Sequence, residues 1–283
     1  MTDTAGQREF EFTQADFHRA CELIRAHAGI ALAGSKYEMV YTRLVRRLRA
    51  LGCTRFSDYL DLLERGGGEE WEHFTNALTT NLTSFFREPH HFPILSRLLK
   101  SLHRNRPLRI WCCAASTGEE PWSIAIAACE TFDTLTPPVK ILASDVDTNV
   151  LNTARQGVYE TDRITHLPQS QLQRFFHRGT GANQGLVRVN PKLHELMSFR
   201  AINLLDDHWG MKEPFDAIFC RNVMIYFDKP TQYQVLQKLT PLLEPDGLLF
   251  AGHSESFFHA ADLVRLREHT VYERVMNPGG VRK

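Results

Sequence analysis

Leu108-Arg109-Ile110-Trp111-Cys112-Cys113-Ala114, continued by Ala115-Ser116-Thr117-Gly118-Glu119-Glu120-Pro121, reads as a buried strand, a turn of small residues and the start of a helix. Pro121 suits the first turn of that helix, where the N–H that proline lacks would have no partner. Small side chains in such a turn let a ligand approach the backbone, although an ordinary β-α connection has the same composition. The full G-x-G-x-x-G of dinucleotide sites is absent, which argues against a diphosphate ligand.

Outward from this unit, short apolar runs alternate with helical ones, the signature of an α/β sheet built from crossover connections. Strands are predicted over 139–143, 197–202, 215–220 and 248–251, with helices over 119–132, 148–155 and 229–243. Residues 157–195 break the rhythm: Tyr159, a turn-rich stretch over 179–185 and the alternating Leu186-Val187-Arg188-Val189 predict a small antiparallel hairpin inserted in the sheet's path.

The second predicted strand ends in Ser144-Asp145-Val146-Asp147, and Asp145 lies 27 residues after Gly118. An acidic side chain at that place accepts ribose hydroxyls, whereas Asp147, ahead of Thr148-Asn149-Val150, has the simpler reading of a helix N-cap. Glu119 and Asp145 facing a nucleoside suit a ligand without phosphates, since a pyrophosphate prefers uncompensated amides. This favours S-adenosylmethionine over NAD. The strand Phe215-Asp216-Ala217-Ile218-Phe219-Cys220 delivers Arg221, Asn222 and Tyr226 to the sheet's carboxyl edge, where ligands of open α/β sheets bind.

Residues 12 to about 75 carry helical periodicity with few strand signals, the apolar run from Tyr59 to Leu63 preceding Gly66-Gly67-Gly68. Between 40 and 51, Val40, Tyr41, Leu44, Leu48 and Leu51 fall on one side at helical spacing, and Arg43, Arg46 and Arg47 fall opposite. The chain of 283 residues has 33 Lys+Arg against 33 Asp+Glu, so no global attraction to nucleic acid or anionic lipid is expected. Charge is instead local: residues 36–55 hold six basic side chains, Arg49 among them, against Glu38 alone. Hydrophobic content of 43% excludes wholesale disorder, and the length favours two domains. The polar start lacks a leader pattern and no apolar run reaches membrane-spanning length, so neither secretion nor membrane insertion is expected. The six cysteines lack paired spacing and read as buried thiols in a reducing compartment.

Three further stretches draw notice. Thr79-Thr80-Asn81-Leu82-Thr83-Ser84-Phe85-Phe86-Arg87-Glu88 is too polar and aromatic for a plain spacer, with helix caps as the alternative reading. His90-His91 shows metal-ligand residue types, but adjacent histidines on a helix diverge by about 100° and no third ligand is evident, so no metal is expected. His253-Ser254-Glu255-Ser256 holds hydrolase-like residues without a nucleophile elbow and reads as loop chemistry.

Taken together, NLTSFFRE, CCAASTGEEPWS, ASDVD, FRAINLLD, IFCRNVMIYF and GHSES, in this order and spacing, resemble the CheR family of chemotaxis receptor methyltransferases from about residue 12 to 275. The resemblance implies a Rossmann-like α/β S-adenosylmethionine-dependent methyltransferase sheet with a small antiparallel β insertion, preceded by an all-helical N-terminal domain. It implies a receptor-docking domain over 1–75, a linker over 76–92 contributing to the cofactor site, and a catalytic domain over 93–283. The implied activity is O-methylation of glutamates on methyl-accepting chemotaxis receptors in the cytoplasm, leaving S-adenosylhomocysteine. Implied cofactor contacts are Asn81, Thr83, Arg87, Glu119, Asp145, Asn203, Leu204, Arg221 and Asn222, with Arg87 and Tyr226 flanking the methyl group. An acidic receptor helix would find a complementary surface on Arg43, Arg46, Arg47 and Arg49. In some relatives the inserted hairpin grips a receptor tail peptide. The chain is expected to be a monomer that binds no nucleic acid. Trp122 stands where the family often has another aromatic. Three rivals remain: a methyltransferase for a small molecule or RNA, a non-catalytic cofactor sensor or scaffold, and a nicotinamide oxidoreductase.

Overall fold

The computed structural model describes residues 8–102 and 104–276; most of the polar start lies outside the described residues. The chain divides into two units at Thr80 and Asn81.

The first unit is helical: α1 (Gln14–Ala28), α2 (Tyr37–Leu51), α3 (Phe56–Glu64) and α4 (Glu70–Leu78). Thr13 and Asp16 form a capping box at the start of α1, and Gly29 and Gly52, both left-handed, end α1 and α2. Ile24, Leu44, Leu48, Tyr59 and Phe74 are fully buried in its core. The apolar face of α2 differs from the periodic expectation at two places. Val45 is buried and Leu51, at the helix end, is 42% exposed.

The second unit begins with α5 (His91–Ser101) and alternates β1 (Leu108–Cys112), α6 (Glu119–Thr131), β2 (Val139–Asp145) and α7 (Thr148–Gln156). An insertion follows: β3 (Val158–Glu160), α8 (Gln169–Phe175), β4 (Phe176–Arg178) and β5 (Leu186–Val189). The main sheet resumes with β6 (Met197–Ala201), β7 (Phe215–Phe219), α9 (Lys229–Leu239), β8 (Leu243–Phe250), β9 (Val264–Glu268) and β10 (Val271–Arg274). Strand order is β6-β2-β1-β7-β8-β10-β9, with β10 antiparallel to both neighbours and the other pairs parallel. The insertion is a three-stranded antiparallel sheet rather than a hairpin, because β3 adds to the edge of β5.

Alternation explains how one sheet serves two cores. Ile110 and Cys112 of β1 point into one apolar cluster with Ala217 and Phe219 of β7, while Trp111 and Ile218 point into the other. The chain winds outward from β1 to β2 and β6, then crosses back to β7. The topological switch therefore lies between β1 and β7, which puts the ligand crevice at their carboxyl ends. Among the described residues no helix is long and apolar enough to cross a membrane. All six cysteines are free, and Cys21 and Cys53 are half-buried rather than buried.

Candidate functional site

The β1–α6 turn owes its shape to packing as much as to any ligand. Gly118 has φ 103°, and a Cβ there would meet the Tyr159 hydroxyl at 2.6 Å and Ala154 Cα at 2.8 Å. The glycine lets the insertion and α7 close against the turn. Ser116, left-handed at φ 48°, donates its N–H to Asp145 Oδ2 at 2.7 Å, and Asp147 N donates to Asp145 Oδ1 at 2.9 Å. Asp145 thus ties the β1–α6 and β2–α7 turns together. Burial raises its carboxyl to about 6 despite these two bonds. Asp147 caps α7, accepting from Asn149 and Val150, and takes a bond from Asn81 Nδ2 at 2.8 Å.

Residues 81–88 open the second unit and are hydrogen-bonded into it. Ser116 Oγ donates to Asn81 O at 3.1 Å, Phe86 N donates to Ser123 Oγ at 2.9 Å, and Arg87 Nη1 reaches back to Leu82 O at 2.9 Å. Glu119 is fully buried, accepts from Thr117 Oγ1 at 2.6 Å, and pairs with Arg163 of the insertion. Arg163 also donates to Thr83 O at 3.1 Å. Asn203 follows β6, its Oδ1 accepting from Leu205 N at 3.0 Å, while Leu204 is buried in the same apolar cluster as Trp111.

A second group of acids was not legible as site residues. The Arg221 guanidinium is completely buried, 2.8 Å from Glu120 Oε2 and 3.3 Å from Glu88 Oε2, and it donates to Arg87 O at 2.6 Å. Its charge is occupied inside the protein. Glu88 further accepts from Asn222 Nδ2 at 3.3 Å and His253 N at 3.1 Å. Burial pushes the Glu88 carboxyl up, but Arg221 and these bonds outweigh it and hold it below the usual range. For Glu120 burial wins over Arg221 and the carboxyl is raised. A signal for Glu120 did exist: from Ile124 to Cys129 α6 is an unbroken run of apolar residues with no polar face, and a helix buried on every side there cannot leave both opening glutamates in water. Glu88 and Glu255 gave no such sign.

Of six non-glycine residues with positive φ among those described, four (Phe86, Glu88, Ser116 and Asn222) belong to this network. Such backbone is held only where surrounding contacts enforce it, and it concentrates at functional sites. Tyr226 sits half-buried on the same loop as Asn222, in a short 3-10 turn over Met224–Tyr226, and its hydroxyl takes no hydrogen bond among the described residues.

The expectation that His90 and His91 lack a third ligand fails, because Glu88 brings its carboxylate within 4.8 Å of both. Arg221 already supplies positive charge to Glu88, so a second cation is opposed there and no metal is assigned. His91 instead is fully buried, its Nε2 3.1 Å from Thr270 Oγ1. Burial, then Arg221, lowers its pKa to about 3. Its unfolded pKa lies near 6.5, so its contribution is whole above that value and is lost as pH falls toward 3. The stability gap between the unaltered chain and His91→Gln should narrow by on the order of 2 kcal/mol between pH 7 and 4.5, measured by urea unfolding.

In the helical unit the arginines of α2 divide. Arg47 binds the buried Glu70 bidentately at 2.7 and 2.8 Å, with Tyr59 donating to the same carboxylate at 2.9 Å. Arg43 donates to Thr79 O at 2.6 Å, and Arg49 pairs with Glu9. Arg46 is exposed and has no partner among the described residues. Two of the four thus hold α2 to the region of α4, which the charge pattern alone did not reveal.

The acceptor set fits S-adenosylmethionine: the buried carboxylates of Asp145 and Glu119 suit hydroxyls and an ammonium, and the charge of the buried Arg221 is already met by Glu88 and Glu120. Comparison with known proteins agrees. The profile of the CheR methyltransferase SAM-binding domain matches residues 81–273, and that of the CheR methyltransferase all-alpha domain matches residues 15–79. Chemotaxis protein methyltransferase 2 of Pseudomonas aeruginosa is 54% identical over 94% of this chain and 95% of its own length. The chemotaxis protein methyltransferase of Salmonella typhimurium is 52% identical over 92% of this chain and 90% of its own.

Proposed function

The chain belongs to the CheR methyltransferase family and binds S-adenosylmethionine, and from that premise we propose that it O-methylates glutamate side chains on the cytoplasmic helices of methyl-accepting chemotaxis receptors. The observation that carries this reading is its match, over nine-tenths or more of both lengths, to relatives named chemotaxis protein methyltransferases.

The chemistry is consistent with the site. A glutamate with an ordinary pKa of about 4.3 is already ionised at neutral pH, so its oxygen attacks without a general base. When bound, the cofactor supplies a methyl group on a cationic sulfur. Attack by a carboxylate joins opposite charges and leaves neutral products, so water stabilises the reactants more than the transition state. The protein's task is to exclude water and align the two centres, a contribution of several kcal/mol. In this reading Asp145 accepts the ribose hydroxyls and Glu119 faces the ammonium. Asn81, Thr83, Asn203, Leu204 and the Arg221–Asn222 backbone complete the cofactor's walls. Tyr226, whose hydroxyl has no partner among the described residues, orients the acceptor carboxylate, and Arg87 acts beside it.

Docking of an acidic receptor helix falls chiefly to Arg46, with Arg49 beside it, since Arg43 and Arg47 serve α2 itself. Arg46→Glu should raise the KM for a receptor fragment about threefold or more at low salt, with cofactor affinity unchanged, in steady-state kinetics. The β insertion offers an edge for a receptor tail peptide, and action as a monomer in the cytoplasm completes the proposal. The test is incubation with cofactor and a receptor cytoplasmic fragment, mapping methyl groups by tandem mass spectrometry. Methylated glutamates support the reading; cofactor binding without transfer favours a sensor or scaffold.

A further inference from the structure

Glu255 lies in the loop after β8, only 5% exposed, and its carboxylate accepts four backbone N–H groups. Oε2 takes Asn222 N at 3.0 Å and Gly252 N at 2.5 Å; Oε1 takes Met224 N at 2.8 Å and Ile225 N at 3.3 Å. Three of the four donors belong to the loop that follows β7. No cation pairs with the carboxylate among the described residues, so its charge is held by amide dipoles alone, the arrangement by which protein backbones bind anions. Here the anion is the chain's own side chain.

What the carboxylate holds is a loop that would not hold itself. Asn222 is left-handed at φ 57°, a conformation asparagine tolerates better than most residues but one that still relies on surrounding contacts, and a 3-10 turn of three residues has little cooperativity. From the opposite side Glu88 accepts the Asn222 side chain, and Gly252 packs so closely that a Cβ would come within 2.4 Å of Asn222 Nδ2. Asn222 is thereby fixed through its backbone by one acid and through its side chain by another.

We propose that Glu255 is a positioning residue for methyl transfer, clamping the backbone from Asn222 to Ile225 so that the cofactor wall and the adjacent Tyr226 share one fixed register. This rests on the function proposed above. Glu255→Gln keeps the shape but turns an amide group toward two N–H donors, so two of the four bonds are lost. At saturating cofactor, kcat per cofactor-binding site, counted by S-adenosylhomocysteine titration, should fall at least about tenfold, as misplacement by a fraction of an ångström does, with receptor-fragment KM within about twofold. Glu255→Asp, too short to span both donor pairs, should fall between. A kcat per binding site equal to that of the unaltered chain, whatever the loss of melting temperature, overturns the proposal.

Should the variant not fold, amide hydrogen exchange of the unaltered chain decides. The Met224 and Ile225 amides should be protected far beyond what a three-residue 3-10 turn gives, and exchange at the rate of open loop amides overturns the clamp. An unaltered chain that transfers no methyl to glutamate refutes the function and leaves the exchange result standing, so the two failures are separable.

Discussion

Arg221→Met should lower the melting temperature of the chain by roughly 6–20 °C in calorimetry, corresponding to about 3–5 kcal/mol for a unit of this size. The guanidinium has no exposure and is the counter-charge for both Glu88 and Glu120. Removing it leaves two buried carboxylates facing each other without a cation. Both carboxyls would then titrate above their unfolded values, so the variant should regain stability as pH falls through that range and lose it as pH rises. Adding Glu88→Gln and Glu120→Gln to Arg221→Met should recover much of the loss, since the cost lies in unpaired charge. A fall of less than about 2 °C for the single variant would mean that the network contributes little.

Asp145→Asn should weaken S-adenosylhomocysteine binding by on the order of a hundredfold in titration calorimetry, the equivalent of losing charge-assisted bonds to two hydroxyls. The same carboxylate accepts Ser116 N and Asp147 N, and an amide in its place meets one of those donors with another donor. Because the Asp145 pKa is raised to about 6, affinity in the unaltered chain should decline as pH falls from 7 to 5. The stability contribution runs the other way: the native carboxyl takes its proton at higher pH than the unfolded one, so this group favours folding below about 4 and loses that advantage as pH rises through 6. The Asn variant should show neither dependence. Equal affinity in variant and unaltered chain would remove Asp145 from the cofactor site.

The sheet was legible because its interior strands are buried on both faces and read as continuous apolar runs; β1, β2 and β7 start where the pattern places them. The edge pair β9 and β10 was not, since only Val264 of β9 is buried and the run Val264-Arg265-Leu266-Arg267-Glu268 looks like surface. The insertion's sheet exceeded a hairpin because β3 is three residues long, too short to register as a strand. The helical unit was read to residue 75, whereas α4 runs on to Leu78 and the chain divides after Thr80.

At the site, motif and spacing singled out Asp145, Glu119 and Asn222, which lie at or just beyond the carboxyl ends of β2, β1 and β7. What spacing cannot report is which polar groups face one another across loops distant in sequence. Glu88 meets Arg221 across 133 positions, and Glu255 meets Asn222 across 33. The arginine face of α2 shows the same limit: helical periodicity separates charged from apolar positions, but only the fold reveals that Arg47 answers the buried Glu70 while Arg46 has no partner among the described residues.

The most direct measurement is transfer of label from methyl-labelled S-adenosylmethionine to a chemoreceptor cytoplasmic fragment, followed by mild alkali. A glutamyl methyl ester releases its label as volatile methanol, and that release is the predicted result. Label that survives alkali, as on nitrogen or carbon, would contradict the assignment of carboxylate oxygen as the acceptor.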